Sequence, residues 1–181
     1  MPVTERVYIV GFMGSGKSTA GKKLATLMNW SFIDLDKQIE EAAGKTIPEI
    51  FETEGEEHFR DLESKVLAST TSVKNPIIST GGGTPCHGNN MDFMLASGLT
   101  VYLKLTPEQL TSRLLGSSGE RPLIKNIPDD QLNEFIAKKL SEREPWYSKA
   151  GVTASGFNLN ISILQNVLET MIKGEDLSPA R

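Results

Sequence analysis

The stretch GFMGSGKS, Gly11 to Ser18, decides the fold. It fits G-x-x-x-x-G-K-[ST], a pattern whose glycines let backbone N–H groups turn inward around phosphate oxygens with no Cβ in the way. Before it, Val7 to Val10 reads as a buried strand; after it, Ala20, Leu24, Leu27 and Met28 recur at helical spacing. A strand running into the loop and a helix opening from it predict a triphosphate cradle formed by Gly14, Ser15, Gly16, Lys17, Ser18 and Thr19. Lys17 would reach the terminal phosphates as a point charge, the Ser18 hydroxyl suits Mg2+, and the helix start adds positive field. A glycine-rich turn of purely structural purpose is the plainer alternative, and the strand-before, helix-after context argues against it.

The rest of the chain extends this pattern. Ser31 to Asp36 reads as a second strand, Lys37 to Ala43 as a helix stopped by Gly44, and Thr46-Pro48 opens another helix. Phe59, Leu62 and Val66 form an apolar stripe; Asn75-Pro76 breaks it, and Ile77-Ile78 begins a strand leading to Gly81-Gly82-Gly83. Leu99 to Leu105 is the clearest strand, and Thr106-Pro107 caps a helix carrying Leu110 and Leu114. Gly116 to Gly119 halts that helix; Asp129 to Glu144 and Ile161 to Ile172 read as the last two helices. Strands alternating with helices imply a central parallel sheet covered on both faces, a three-layer α/β/α sandwich. In such sheets ligands bind beyond the carboxyl ends of the strands, where GFMGSGKS, the DLD of Asp34 to Asp36 and the glycine triplet all fall.

Composition narrows the partners. The chain has 181 residues, 38% hydrophobic and 23% charged, the norm for one globular domain. A net charge of −4 argues against general nucleic-acid binding, so an anionic substrate must be met by locally gathered Lys and Arg. A single cysteine, Cys86, excludes an internal disulfide framework and fits a reducing compartment. With no bilayer-length apolar stretch and no signal-peptide pattern, the expected address is the cytoplasm. His58 and His87 lack metal-ligand spacing, which argues against zinc, and no hydrolase nucleophile elbow is present.

Several side chains carry two readings. P-loop proteins hold Mg2+ with an acid after an apolar strand. Neither Ile77-Ile78 nor Leu99 to Leu105 supplies one, whereas Phe32-Ile33-Asp34-Leu35-Asp36 does. A strand period of two sets Asp34 and Asp36 on one side, one toward a metal and the other toward a second substrate; a helix-capping pair is the alternative. Arg60, with Glu56 at i−4 and Glu63 at i+3, reads by spacing alone as a surface pair. Arg143 continues the face of Ile136, Leu140 and Tyr147, so its guanidinium needs an anion, either a protein carboxylate or a substrate. Pro145 is expected to end or kink that helix. Arg121 follows the Gly/Ser segment, where a lid would carry it over phosphates; a solvated loop arginine is the common alternative.

Together these residues resemble the shikimate kinase family of nucleoside-monophosphate-kinase-like P-loop enzymes. The resemblance rests on Gly11 to Thr19, Asp34 with Asp36, the I-F-x-x-x-G-E-x-x-F-R-x-x-E run from Ile50 to Glu63, Gly81 to Gly83, Arg121-Pro122-Leu123, and R-x-P-x-Y at Arg143 to Tyr147. It implies transfer of the ATP γ-phosphoryl group to the 3-hydroxyl of shikimate, with Mg2+, in a monomer of one P-loop domain. The same resemblance implies a lid over about 114–126 and an acceptor-binding segment over about 36–64. It makes Lys17, Asp36 and Arg121 catalytic. Asp36, Arg60, Gly81, Gly82, Gly83, Arg121 and Arg143 would contact shikimate, and Glu63 would orient Arg60. Ser18 would bind Mg2+ directly and Asp34 through water, while Arg113 and Arg121 would contact the nucleotide, Arg113 by stacking on the base. Departures from the family pattern fall at Trp146 and at Val152 to Asn158, which leaves only a backbone role toward adenine around Gly156 to Asn158. The rivals are a kinase of gluconate or of a nucleoside monophosphate, and a GTP-dependent switch, whose N-K-x-D motif the chain lacks.

Overall fold

The structure, a computed structural model, describes residues 5–117 and 124–174. Five strands form one sheet: β1 (Val7–Val10), β2 (Ser31–Asp34), β3 (Pro76–Ser79), β4 (Leu99–Lys104) and β5 (Val152–Ser155). Their order is β2-β3-β1-β4-β5, and every pairing is parallel. Helices α1 (Lys17–Met28), α2 (Leu35–Ala43), α3 (Ile47–Ser69), α4 (Asn90–Ser97), α5 (Pro107–Leu115), α6 (Asp129–Tyr147) and α7 (Ile161–Lys173) cover it.

Alternation along β1 splits the core in two. Val7 and Ile9 pack with Leu24 of α1 and with Leu164 and Leu168 of α7 on one face. Tyr8 and Val10 join Ile39, Leu67, Met94, Leu110 and Ile136, from the five remaining helices, on the other. Both faces of β1 are fully enclosed, as a central parallel strand requires. The expected three-layer α/β/α sandwich is what forms.

Two local expectations change. β2 stops at Asp34, and Leu35 to Ala43 is helical. Asp34 caps that helix by accepting from the Lys37 amide, while Leu35 at its first position is wholly buried. The period-of-two pairing of Asp34 with Asp36 therefore fails: one acid is the cap and the other stands in the first helical turn. Pro145 does not end α6, which continues to Tyr147. The proline forfeits only the bond to the Ser141 carbonyl, and Ser141 is exposed, so water can satisfy it. As the sequence reads, α3 is two helical runs, one opened by Thr46 and Pro48 and one carrying the Phe59, Leu62 and Val66 stripe, joined at Gly55, which adopts φ 85 and ψ 172. β5 is an addition to the strands read from the sequence. The region around the predicted lid lies only partly within the described residues, and Arg121, Pro122 and Leu123 lie outside them.

Candidate active site

β1 delivers the chain to the first half of the site. Beyond Val10 the loop turns through Gly14 and Gly16, and Gly16 caps α1 at φ 93, a left-handed conformation that disfavours side chains with a Cβ. The loop and its neighbours enclose a cavity of about 320 Å3 lined by Met13, Gly14, Gly16, Lys17, Ser18, Thr19, Asp34, Asp36, Ser79, Thr80 and Gly82. A larger groove of about 770 Å3, between α6 and the β4–β5 edge, holds none of the predicted site residues. Lys17 is buried and its ammonium donates to the carbonyls of Gly11 and Phe12, each at 2.9 Å. An ammonium held on two neutral carbonyls can exchange them for anionic oxygens, which bind it more strongly.

Beside Lys17, the Ser18 hydroxyl donates to Asp34 Oδ2 at 3.1 Å and lies 3.1 Å from the Ser79 hydroxyl. Asp34 thus caps α2 with one oxygen and accepts from Ser18 with the other. Ser79 was not anticipated; it ends β3 where an acid was sought. All three contribute oxygen, the ligand chemistry of a hard cation. Among the described residues no cluster of three His, Cys, Asp or Glu side chains forms an all-protein metal cage. Mg2+ is usually held by one or two protein oxygens together with phosphates and water, and Ser18 and Asp34 are oxygen donors of that kind.

Asp36 opens onto the cavity mouth while protein surrounds it on most sides. That enclosure raises its carboxyl to about 6; Asp34, Glu63 and Glu40 push the same way, and Lys17 opposes them. It touches the glycine triplet: a Cβ added at Gly81 would lie 2.9 Å from Asp36 Oδ1. A side chain there would push the Asp36 carboxylate and the Thr84 hydroxyl out of place.

The two arginines arrive from different helices at the same strip of backbone. Arg60 of α3 stands against Gly83, where a Cβ would lie 3.0 Å from its Nη1. It donates to Glu63 at 2.9 Å and to Glu56 at 3.2 and 3.3 Å. The surface-pair reading captures the Glu56 contact, but Glu63 is wholly buried and draws the guanidinium inward. Arg143 of α6 reaches Gly82, with Nη1 3.3 Å from where a Cβ would sit, and its guanidinium lies 5.3 Å from the centre of the Phe12 ring. Among the described residues no carboxylate pairs with Arg143.

Two supports escaped the sequence reading. The Tyr147 hydroxyl donates to the Gly82 carbonyl, and the Tyr102 hydroxyl donates to Glu144 at 2.7 Å, so the end of α6 is tied to the triplet and to β4. The i, i+4 spacing of Arg143 and Tyr147 was their only signal. The Arg113 guanidinium donates to the carbonyls of Ser15 at 3.0 Å and Gly156 at 2.7 Å. Its donors bridge the phosphate loop to the turn after β5, which brings Gly156 beside the nucleotide side of the cavity.

A family model described as Shikimate kinase matches residues 13–172. Shikimate kinase from Parabacteroides distasonis is 47% identical over 149 residues, 82% of this chain and 86% of that protein. The crystal structure of shikimate kinase from Bacteroides thetaiotaomicron superposes with a TM-score of 0.86 at 39% identity, covering 91% of this chain and 98% of the other. That of shikimate kinase from Acinetobacter baumannii in complex with shikimate does so with a TM-score of 0.82 at 34% identity, covering 98% and 97%. A phosphate loop on β1 facing paired guanidiniums, found in a chain so similar along its whole length, has one explanation: the chain belongs to the shikimate kinase family, ATP-dependent enzymes that phosphorylate an alcohol.

Proposed function

We propose that this chain transfers the γ-phosphoryl group of ATP to the 3-hydroxyl of shikimate, with each half of the cavity holding one substrate. The observation that carries the reading is the convergence of Arg60 and Arg143 on the glycine triplet, with no carboxylate among the described residues paired to Arg143. A cyclic acid whose carboxylate lies between these guanidiniums sets its hydroxyls against Asp36 and toward the phosphate loop. Gluconate and nucleoside monophosphates offer no such carboxylated ring.

Gly14 to Thr19 bind the phosphates through backbone amides, and Lys17 leaves the Gly11 and Phe12 carbonyls for the terminal phosphate oxygens. Ser18 and Asp34, with Ser79 beside them, are the residues placed to hold Mg2+, which supplies charge neutralisation on the phosphate oxygens when bound. Asp36 orients the acceptor hydroxyl and accepts its proton as that oxygen bonds to the γ-phosphorus and the bond to the ADP oxygen breaks. Such a transfer asks chiefly for alignment and neutralised charge. Glu63 orients Arg60, and Gly81 to Gly83 let the ring approach; the phosphate role of Arg121 and the lid over about 114–126 rest on the family resemblance, Arg121 lying outside the described residues. Arg113, rather than offering itself only as a stacking surface, aligns the Gly156 turn for the base. The acceptor segment over about 36–64 comprises α2 and most of α3. The single cysteine supports a reducing, cytoplasmic setting.

ADP release measured with ATP, Mg2+ and candidate acceptors tests this. Shikimate is expected to raise turnover strongly over the acceptor-free rate. Activity on gluconate with no response to shikimate would reassign the acceptor.

A further inference from the structure

We infer that Thr84 is a positioning residue for the acceptor: its hydroxyl, acting through Glu63, sets the guanidinium of Arg60 at the acceptor pocket. This rests on the reading of Arg60 as a grip for the acceptor carboxylate.

Glu63 and Thr84 are both wholly buried, so no bulk water competes for their contacts. A buried carboxylate needs partners on both oxygens. Arg60 Nη1 donates to Oε2 at 2.9 Å, and the Thr84 hydroxyl donates to Oε1 at 2.6 Å. Thr84 is itself held: its carbonyl accepts from Asn90 Nδ2 at 3.0 Å, and its amide donates to the Gly81 carbonyl at 3.2 Å. Thr84 therefore closes the turn of the glycine triplet while fixing the carboxylate that faces it.

Arg60 has a competing partner. Glu56, with a side chain 61% exposed, holds the outer edge of the same guanidinium. Only the inner carboxylate keeps the arginine against Gly83. Removing the Thr84 hydroxyl leaves one oxygen of Glu63 unpaired, and that carboxylate can turn to recover a partner. Arg60 then loses its inner reference, and Glu56 draws it toward solvent. Valine has nearly the shape of threonine and isolates this effect.

The test is steady-state kinetics of Thr84→Val and Thr84→Ser in the wild-type and Arg60→Ala backgrounds, with shikimate and ATP varied separately. Thr84→Val is expected to raise the shikimate KM about tenfold, the worth of one hydrogen bond to a charged group, while kcat and the ATP KM hold. Thr84→Ser, which keeps the hydroxyl, is expected to restore the wild-type shikimate KM. In the Arg60→Ala background Thr84→Val should add nothing. Should the valine variant not fold, Thr84→Ala carries the same expectations. An unchanged shikimate KM, an equal rise in the ATP KM, or a full effect without Arg60 overturns the inference. Arg60→Ala with an unchanged shikimate KM overturns the carboxylate grip, and Thr84's role with it. A raised KM in Arg60→Ala with no response to Thr84→Val overturns the Thr84 role alone.

Discussion

The two halves of the cavity are built by different means. The phosphate side is one contiguous loop whose donors are mostly backbone, with its shape set by glycines and the start of α1. The acceptor side is assembled from side chains on α2, α3 and α6 that converge at Gly81 to Gly83. A backbone site is stiff and serves any triphosphate, whereas a side-chain site can be shaped to one small acid. Generality is encoded locally, and selectivity by long-range assembly.

That contrast can be broken by substitution. Lys17→Ala should have the largest effect, lowering kcat about a thousandfold by removing charge stabilisation where it develops; a variant altered only in shikimate KM would blur the two halves. Arg143→Ala comes next, with the shikimate KM raised about a hundredfold and the ATP KM nearly unchanged. Equal loss for both substrates would mean the halves are not separate. Acidity gives a smaller graded effect. Burial raises the Asp36 carboxyl to about 6, so if its carboxylate accepts the acceptor proton, kcat/KM should be flat above that pH and fall about tenfold for each unit below it. Asp36→Asn should lower activity and remove this limb of the profile; persistence of the limb would place the base elsewhere. The mildest is Tyr147→Phe, which takes the donor from the Gly82 carbonyl and should cost about fivefold in shikimate KM, with ATP binding unaffected.

The same contrast decides what the sequence made legible. The phosphate loop, its strand and its helix could be read because their residues are consecutive. Arg143 could be placed by helical phase, since Ile136, Leu140 and Tyr147 on its face are buried. Arg60 was harder: spacing sees Glu56 and Glu63 as equivalent neighbours, and only tertiary packing makes one exposed and the other buried. Asp34 and Asp36 could be found but not oriented, because the switch from strand to helix at Leu35 replaces one side-chain period by another. Ser79, Thr84 and the Arg113 bridge left no local signal; their partners lie far along the chain. β5 is a half-buried edge strand whose Val-Thr-Ala-Ser alternation is weak, and so it escaped notice.

The most direct measurement is a crystal structure of the protein with ADP and shikimate bound together. The carboxylate of shikimate is predicted to lie between the guanidiniums of Arg60 and Arg143, with its ring hydroxyls at Asp36 and the diphosphate in the Gly14 to Thr19 loop. A shikimate found with its carboxylate elsewhere, or a pocket between Asp36 and Arg143 left empty at saturating ligand, would contradict the account.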